Sequence, residues 1–430
     1  MDKLTLLRNA KIREKEEFVD IIIKGQWIVS VTPTQEDIHE DIKQKFDLEG
    51  RLVLPSLINP HTHLDKAGLA DKIKNKSGTI DEARSKLLEA KHNIEKKEIK
   101  ERAKTIILNS IQNGVTIIRT HVDVDPVIGM KGIEALLELK QEFKDIIDLQ
   151  IVAFPQEGIS EAPGTYELLH ESMVIGNDII VGGHLSIAKD HYEHTKRVFD
   201  LAEEFDRDID VHVDYDIDRD FEKLSKHQDG EQYPDELGVI ALAEETMERK
   251  INKQICTSHL CGLDSVKPEV AQKVMRLLAK SGVAVIALPP NNLYMHGRSD
   301  QWRVRRGVTR VKQLLDSGVE VIFGTDNIRD PFNPLGNSNM IHNAILTSYA
   351  CHMKSEEDFN RIFDMCTVEA ARILKLEHYG VATGCYADLV VLDALGVEQA
   401  LAHQAIVTHV FKRGKLIATN KLEQKRLFNV

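Results

Sequence analysis

The sequence predicts an α/β chain: a (β/α)8 TIM barrel carrying a small β-sandwich assembled from both chain termini. Three observations predict it. Between residues 54 and 380, eight apolar runs rich in Val and Ile alternate with longer amphipathic stretches. Polar residues, several of them histidine, collect where those runs end. Both chain ends carry short β-type runs, each set too small to stand alone. Near-continuous apolar strands separated by helices describe a parallel sheet covered on both faces, and eight such units describe a closed barrel. An open, doubly wound sheet shares the alternation and is the alternative.

In chain order, strands are expected at residues 3–7, 18–23 and 27–32, with Lys24-Gly25 as a turn. The far end mirrors them at 387–393 and 406–411, followed by a hairpin turn at Lys412-Arg413-Gly414-Lys415 into 416–418. Residues 1–53 and 381–430 therefore form the sandwich, and residues 54–380 are the barrel inserted between its halves. The barrel strands are expected within the stretch 54–65, with His61 and His63 at the strand's end, and at 115–121, 148–155, 178–184, 208–214, 252–259, 282–289 and 319–327. Glycines in Asn113-Gly114, Ser281-Gly282 and Ser317-Gly318 mark helix ends that release the chain into a strand. A long charged helix is expected from about Thr79 to Asn113, and the charged runs at 71–76 and 95–102 read as solvated faces.

Composition narrows the function. A formal charge of −12 repels phosphate backbones and anionic membranes, so neither nucleic acid nor a membrane is an expected partner. Five cysteines with no C-x-x-C spacing argue against a disulfide framework and for a reducing, cytoplasmic setting. Cys256 and Cys261, on either side of His259, read as small buried hydrophobes. No apolar run approaches the roughly 18 residues of a membrane span. A homo-oligomer is expected only because barrel enzymes often form symmetric assemblies.

The strand ends carry the chemistry. Alternate residues of a strand share a face, so His61 and His63 point the same way from the first strand. Gln156 follows the third, His212 closes the fifth, His259 the sixth and Asp326 the eighth. Three imidazoles and a carboxylate with an open position fit one catalytic divalent cation, Zn²⁺ or Fe²⁺.

Five motifs extend the pattern: His61-Thr62-His63-Leu64-Asp65, Arg119-Thr120-His121-Val122-Asp123, Phe154-Pro155-Gln156-Glu157-Gly158, Arg305-Arg306-Gly307-Val308-Thr309-Arg310 and Asp330-Pro331-Phe332-Asn333-Pro334. Together they resemble the cytosine deaminase branch of the amidohydrolase superfamily. Residues 61–66 with 326–330 are also similar to the N-isopropylammelide isopropylaminohydrolases of that branch.

The resemblance implies one metal ion held by His61, His63, His212 and Asp326, since no lysine near residues 181–184 can bridge a second. It implies catalytic roles for Asp326 as proton acceptor and for His259 beside the reacting centre. The expected reaction is hydrolysis of a non-peptide C–N bond, deaminating a cytosine-like pyrimidine or an aminotriazine. The attacking hydroxide would come from water whose pKa the cation lowers to about 7. Gln156 and Lys66 are the expected substrate contacts. A cyclic amidase or deacylase is the alternative, and a non-catalytic scaffold, which would lack the ligands, the remoter one.

Three positions depart from the branch pattern. Tyr215 stands where it has a glutamate proton shuttle, Asn327 where it has a second aspartate, and Phe332 where it has tryptophan. Asp214 shares the parity of His212 and is the candidate substitute shuttle, with a rim carboxylate in a hydrogen-bond network as the equal reading. His121 and His184, ending the second and fourth strands, either orient the ligands or are hydrogen-bonded core histidines.

Overall fold

A computed structural model describes residues 4–35 and 42–423, so Lys3 of the first expected strand lies outside the described residues. Its centre is one parallel sheet of eight strands in sequential order. They are β1 (Leu57–Thr62), β2 (Val115–Asp123), β3 (Asp148–Phe154), β4 (Ile180–His184), β5 (Ile209–Val213), β6 (Ile255–His259), β7 (Ala284–Ala287) and β8 (Val321–Phe323). β-Branched residues in runs such as Val115-Thr116-Ile117-Ile118 and Ile180-Val181 suit them to strands, and seven of the eight are buried along their whole length.

The sheet closes on itself. The Asp326 backbone N–H donates to the His61 carbonyl at 3.0 Å, and the Thr62 hydroxyl donates to the Asp326 carbonyl at 2.9 Å. Asn59 and Thr325 add a reciprocal pair of bonds, 2.9 and 3.2 Å, just beneath. An open doubly wound sheet is thereby excluded. Gly282 ends the helix Pro268–Ser281 at φ 73 with its N–H on the Leu278 carbonyl, a left-handed cap that glycine adopts without steric cost.

The expected single helix from Thr79 to Asn113 is two, α1 (Ile80–Lys91) and α2 (Lys96–Gln112). The Thr79 hydroxyl caps α1 by accepting from the Glu82 N–H. At its other end Lys91 turns inward to Asp123, Asp125 and Glu157, at 2.9, 2.7 and 3.1 Å. Anchoring that ammonium inside the barrel fixes where α1 stops; helical periodicity does not reveal it.

At the amino end, Leu4–Ala10, Val19–Lys24, Trp27–Pro33 and Ile42–Asp47 form one sheet. The last of these was not expected, because Ile42-Lys43-Gln44-Lys45-Phe46-Asp47 is mostly polar. A second sheet pairs Leu52–Pro55 antiparallel with Leu389–Leu392, followed by Val407–Lys412 and Lys415–Thr419. Its first strand spans the division expected between residues 53 and 54. Arg413 at φ 47 and Gly414 at φ 75 make its last hairpin turn, the left-handed pair that matches strand twist.

Strand alternation gives this second sheet two apolar faces. Val53, Leu389, Val391 and Phe411 pack against Leu7, Ile21 and Ile28 of the first sheet, while Leu52, Leu54, Val390 and Val410 join the barrel core. The fully buried Lys412 bonds to Asp388 and, at the start of β3, to Asp148, both at 2.7 Å. Among the described residues no helix is long and apolar enough to cross a membrane.

Phe411→Ala should destabilise the sandwich by about 3–5 kcal/mol, seen as a lower midpoint of thermal unfolding. Tyr349→Ser, at a position 80% exposed, should shift it by no more than about 0.5 kcal/mol.

Candidate metal centre

The carboxyl ends of β1, β5 and β6 and the turn after β8 bring five side chains to one point. The Asp326 Oδ1 atom lies 3.6 Å from His61 Nε2 and 3.2 Å from His63 Nε2. His212 Nε2 is 3.2 Å from His63 Nε2. Ligand atoms of His61, His212, His259 and Asp326 all fall within 4.8 Å of one another. His259 and Asp326 adopt left-handed backbone, φ 71 and 58, a conformation uncommon for residues with a Cβ and concentrated at functional sites.

These groups are buried, yet both ring nitrogens of His61, Nδ1 of His63 and His212, and Oδ1 of Asp326 have no hydrogen-bond partner. Buried polar atoms are nearly always satisfied, so orphans converging on one point fit a divalent cation. Protonation states agree. Burial pushes His63 down to about 4 and His212 well below the usual histidine range, leaving their lone pairs available at neutral pH. Burial opposes ionisation of Asp326, but His61 and His63 alongside hold its carboxyl well below the usual carboxylate range.

The helix Pro289–Met295 after β7 braces the group. Asn291 Nδ2 donates to Asp326 Oδ2 at 2.6 Å, which leaves Oδ1 turned to the histidines. Asn292 Oδ1 lies 3.2 Å from His259 Nδ1; an amide oxygen can only accept, so the ring proton sits on Nδ1 and the Nε2 lone pair faces Asp326 Oδ2, 3.9 Å away. Below, His121 lies on the His61 ring with centroids 4.1 Å apart. Its Nε2 is 3.5 Å from Asp210, which also takes Arg119 at 2.8 Å. A cavity opens above Asp326 and His212, walled by Phe154, Gln156, His184, Tyr215, Asn327 and Phe332.

Residues 79–418 match the family model described as "Amidohydrolase family". The chain belongs to the amidohydrolase family. Over 97% of its length it is 30% identical to N-isopropylammelide isopropyl amidohydrolase of Pseudomonas sp. (strain ADP), spanning 98% of that protein. It is 26% identical to pterin deaminase of Rhizobium rhizogenes over 96% of this chain and 90% of that one. The crystal structure of 5-methylcytosine deaminase from Klebsiella pneumoniae, liganded with 5-fluorocytosine, is similar with a TM-score of 0.89 at 34% identity, over 98% of this chain and 99% of that one. This amidohydrolase is accordingly a hydrolase of carbon–nitrogen bonds other than peptide bonds.

Two expected site residues sit elsewhere. Lys66 does not line the cavity; its buried ammonium donates to Asp123 at 2.6 Å and to Gln156 Oε1 at 2.8 Å. An ammonium has no acceptor, so Gln156 turns its oxygen to Lys66 and its NH₂ becomes the group free for a ligand. Asp214 is also withdrawn. Its carboxylate accepts the Gly238 and Val239 N–H groups at 2.7 and 3.2 Å, capping the helix Gly238–Arg249, and burial pushes it up to about 7. It does not line the cavity, whereas Tyr215, at the position of the branch glutamate, does. His184 also lines it, its Nδ1 donating to the Gln156 carbonyl at 2.9 Å. The Cys256 thiol is pushed up to about 12 by burial, so it is no nucleophile.

The sequence reading missed Asn291, Asn292 and Arg84, a residue of α1 that also lines the cavity. Two successive amides after Pro289-Pro290, where the seventh apolar run stops, were a usable signal. Arg84, on an amphipathic helix, gave none.

His212→Ala should reduce divalent metal per chain, measured by elemental analysis, with the circular dichroism spectrum preserved. Asn291→Ala should weaken metal affinity by about 10–100-fold, the usual consequence of releasing the bond that supports a ligand, here Asp326.

Proposed function

We propose that this amidohydrolase deaminates a small nitrogen heterocycle of the aminopyrimidine or aminotriazine type. One zinc or iron(II) ion would be held by His61, His63, His212 and Asp326, since imidazole and carboxylate donors suit both metals. The observation that carries the reading is the meeting of Asp326 Oδ1 with His61 and His63, 3.6 and 3.2 Å away, beneath a cavity with aromatic walls. The likeness to 5-methylcytosine deaminase and to N-isopropylammelide isopropyl amidohydrolase, both acting on flat nitrogen rings by name, supports it.

A bound divalent cation supplies a Lewis acid and a water of pKa lowered to about 7. The chain's own groups do the rest. Asp326, ionised by its histidine neighbours, accepts a proton from water and returns it to the departing nitrogen. His259, held by Asn292, presents Nε2 to Asp326 Oδ2 and can exchange that proton with it. The Gln156 NH₂, fixed by Lys66, donates to a ring carbonyl or ring nitrogen. Tyr215 offers a phenol whose pKa desolvation raises, which suits donation better than base work.

The test is ammonia release over cytosine, 5-methylcytosine, isocytosine, creatinine and aminotriazines. At least one should turn over, with activity lost to a chelator and restored by Zn²⁺ or Fe²⁺. Asp326→Ala should lower kcat by at least about 10²–10⁴-fold. Activity confined to acyl-amino acids would overturn the substrate class.

Lys66→Met should raise KM, because Gln156 loses the bond that sets its amide. An unchanged KM would show that Gln156 is oriented without it.

A further inference from the structure

Two hollows share a wall at the mouth of the barrel. One is the catalytic cavity; the other lies outside it, bounded by Thr79, Asp216, Arg219 and Arg298. Arg84 lines both. It reaches them from α1, where Ile80 and Arg84 are four residues apart and so share a face. The Thr79 cap and the inward anchor at Lys91 hold that helix at both ends.

Among the described residues Arg84 is an arginine of this mouth with no carboxylate partner. Its side-chain hydrogen bond is a long one to the Tyr215 hydroxyl, 3.5 Å, and among the described residues it forms no salt bridge. Its neighbours differ. Arg219 pairs with Asp216 and Glu236, at 3.3 and 3.0 Å, and Arg305 pairs with Asp218 and Asp300. Arg298 donates to the Tyr294 carbonyl at 2.7 Å and lies over that residue's ring. Asp326 forms no ion pair with Arg84; its Oδ2 accepts from Asn291 and its Oδ1 faces the histidines.

A guanidinium stays charged at any working pH and presents a planar fork of donors. Half-buried beside a neutral phenol, the fork is largely unmet. The Gln156 NH₂ and the Tyr215 hydroxyl, which also line the cavity, each have a proton to donate. A neutral ring would leave Arg84 without its counterpart, whereas a carboxylate on the ring would take two parallel N–H bonds from it.

On the reading of this cavity as a heterocycle deaminase, we infer that the substrate is a ring bearing a carboxylate, and that Arg84 is the residue that selects it. The reaction itself is unchanged: water adds at the ring carbon, the C–N bond breaks, and ammonia leaves with no change of oxidation state.

The test is calorimetric titration of the metal-loaded protein with uracil, uracil-5-carboxylate and uracil-6-carboxylate, which carry no amine to release. In the unaltered protein at least one carboxylated ring should bind about tenfold tighter than uracil or better. Arg84→Met should abolish that advantage while leaving the thermal midpoint in place. Equal affinity for charged and neutral rings, no binding of either carboxylate, or a preference that survives in Arg84→Met would each overturn the inference. Ammonia assays with cytosine and its 5-carboxylate separate the two readings. Release without carboxylate preference leaves the deaminase and removes the role of Arg84; carboxylate-selective binding without release on any ring does the opposite.

Discussion

Barrel closure and site assembly are one event at Asp326. Its backbone N–H and carbonyl join the exit of β8 to β1, while its carboxylate meets the imidazoles that β1 delivers. The side chain therefore has its place only if the first and eighth strands are in register. Asn59 and Thr325 lock that register from beneath, with no apolar slip available because both partners are buried amide or hydroxyl. A side chain placed by the seam of the barrel has its position set by strand register, which is what the proton transfer proposed for Asp326 requires.

Around the seam the molecule buries an unusual amount of charge. Lys66, Lys91, Asp123, Asp125 and Glu157 form a connected set under α1 and the strand ends. Burial opposes the charge on Lys91, yet its three carboxylates hold the ammonium well above the usual lysine range. Such networks are weak evidence of stability, because desolvation offsets most of the attraction, but losing one member leaves an uncompensated charge worth about 3–5 kcal/mol. Their use here is geometric. Lys91 sets where α1 ends, Lys66 sets which way Gln156 turns, and α1 in turn carries Arg84 to the cavity wall.

The fold class was legible because strand and helix periods differ and eight alternations leave few architectures. The exit glycines and the hairpin at Arg413-Gly414 were legible from backbone sterics alone. The Ile42–Asp47 strand was not, since a polar edge strand has no apolar pattern to read. Nor was the break in the long helix, which depends on carboxylates from β2 and beyond β3 that are distant in sequence. Asp214 has the parity of His212 and Lys66 the chemistry for a substrate contact, yet each is claimed by a nearer partner, two helix N–H groups for the first and Asp123 for the second.

By itself the sequence determined which residue types stand at the strand ends, because a period of two dictates that His61 and His63 share a face and because most of the apolar runs stop at a polar residue. Only the tertiary structure decided which of those residues meet. Convergence depends on closing the barrel, and direction depends on competition among buried partners: a carboxylate or ammonium turns to whichever opposite group satisfies it inside the protein, and that choice is made across the fold rather than along the chain.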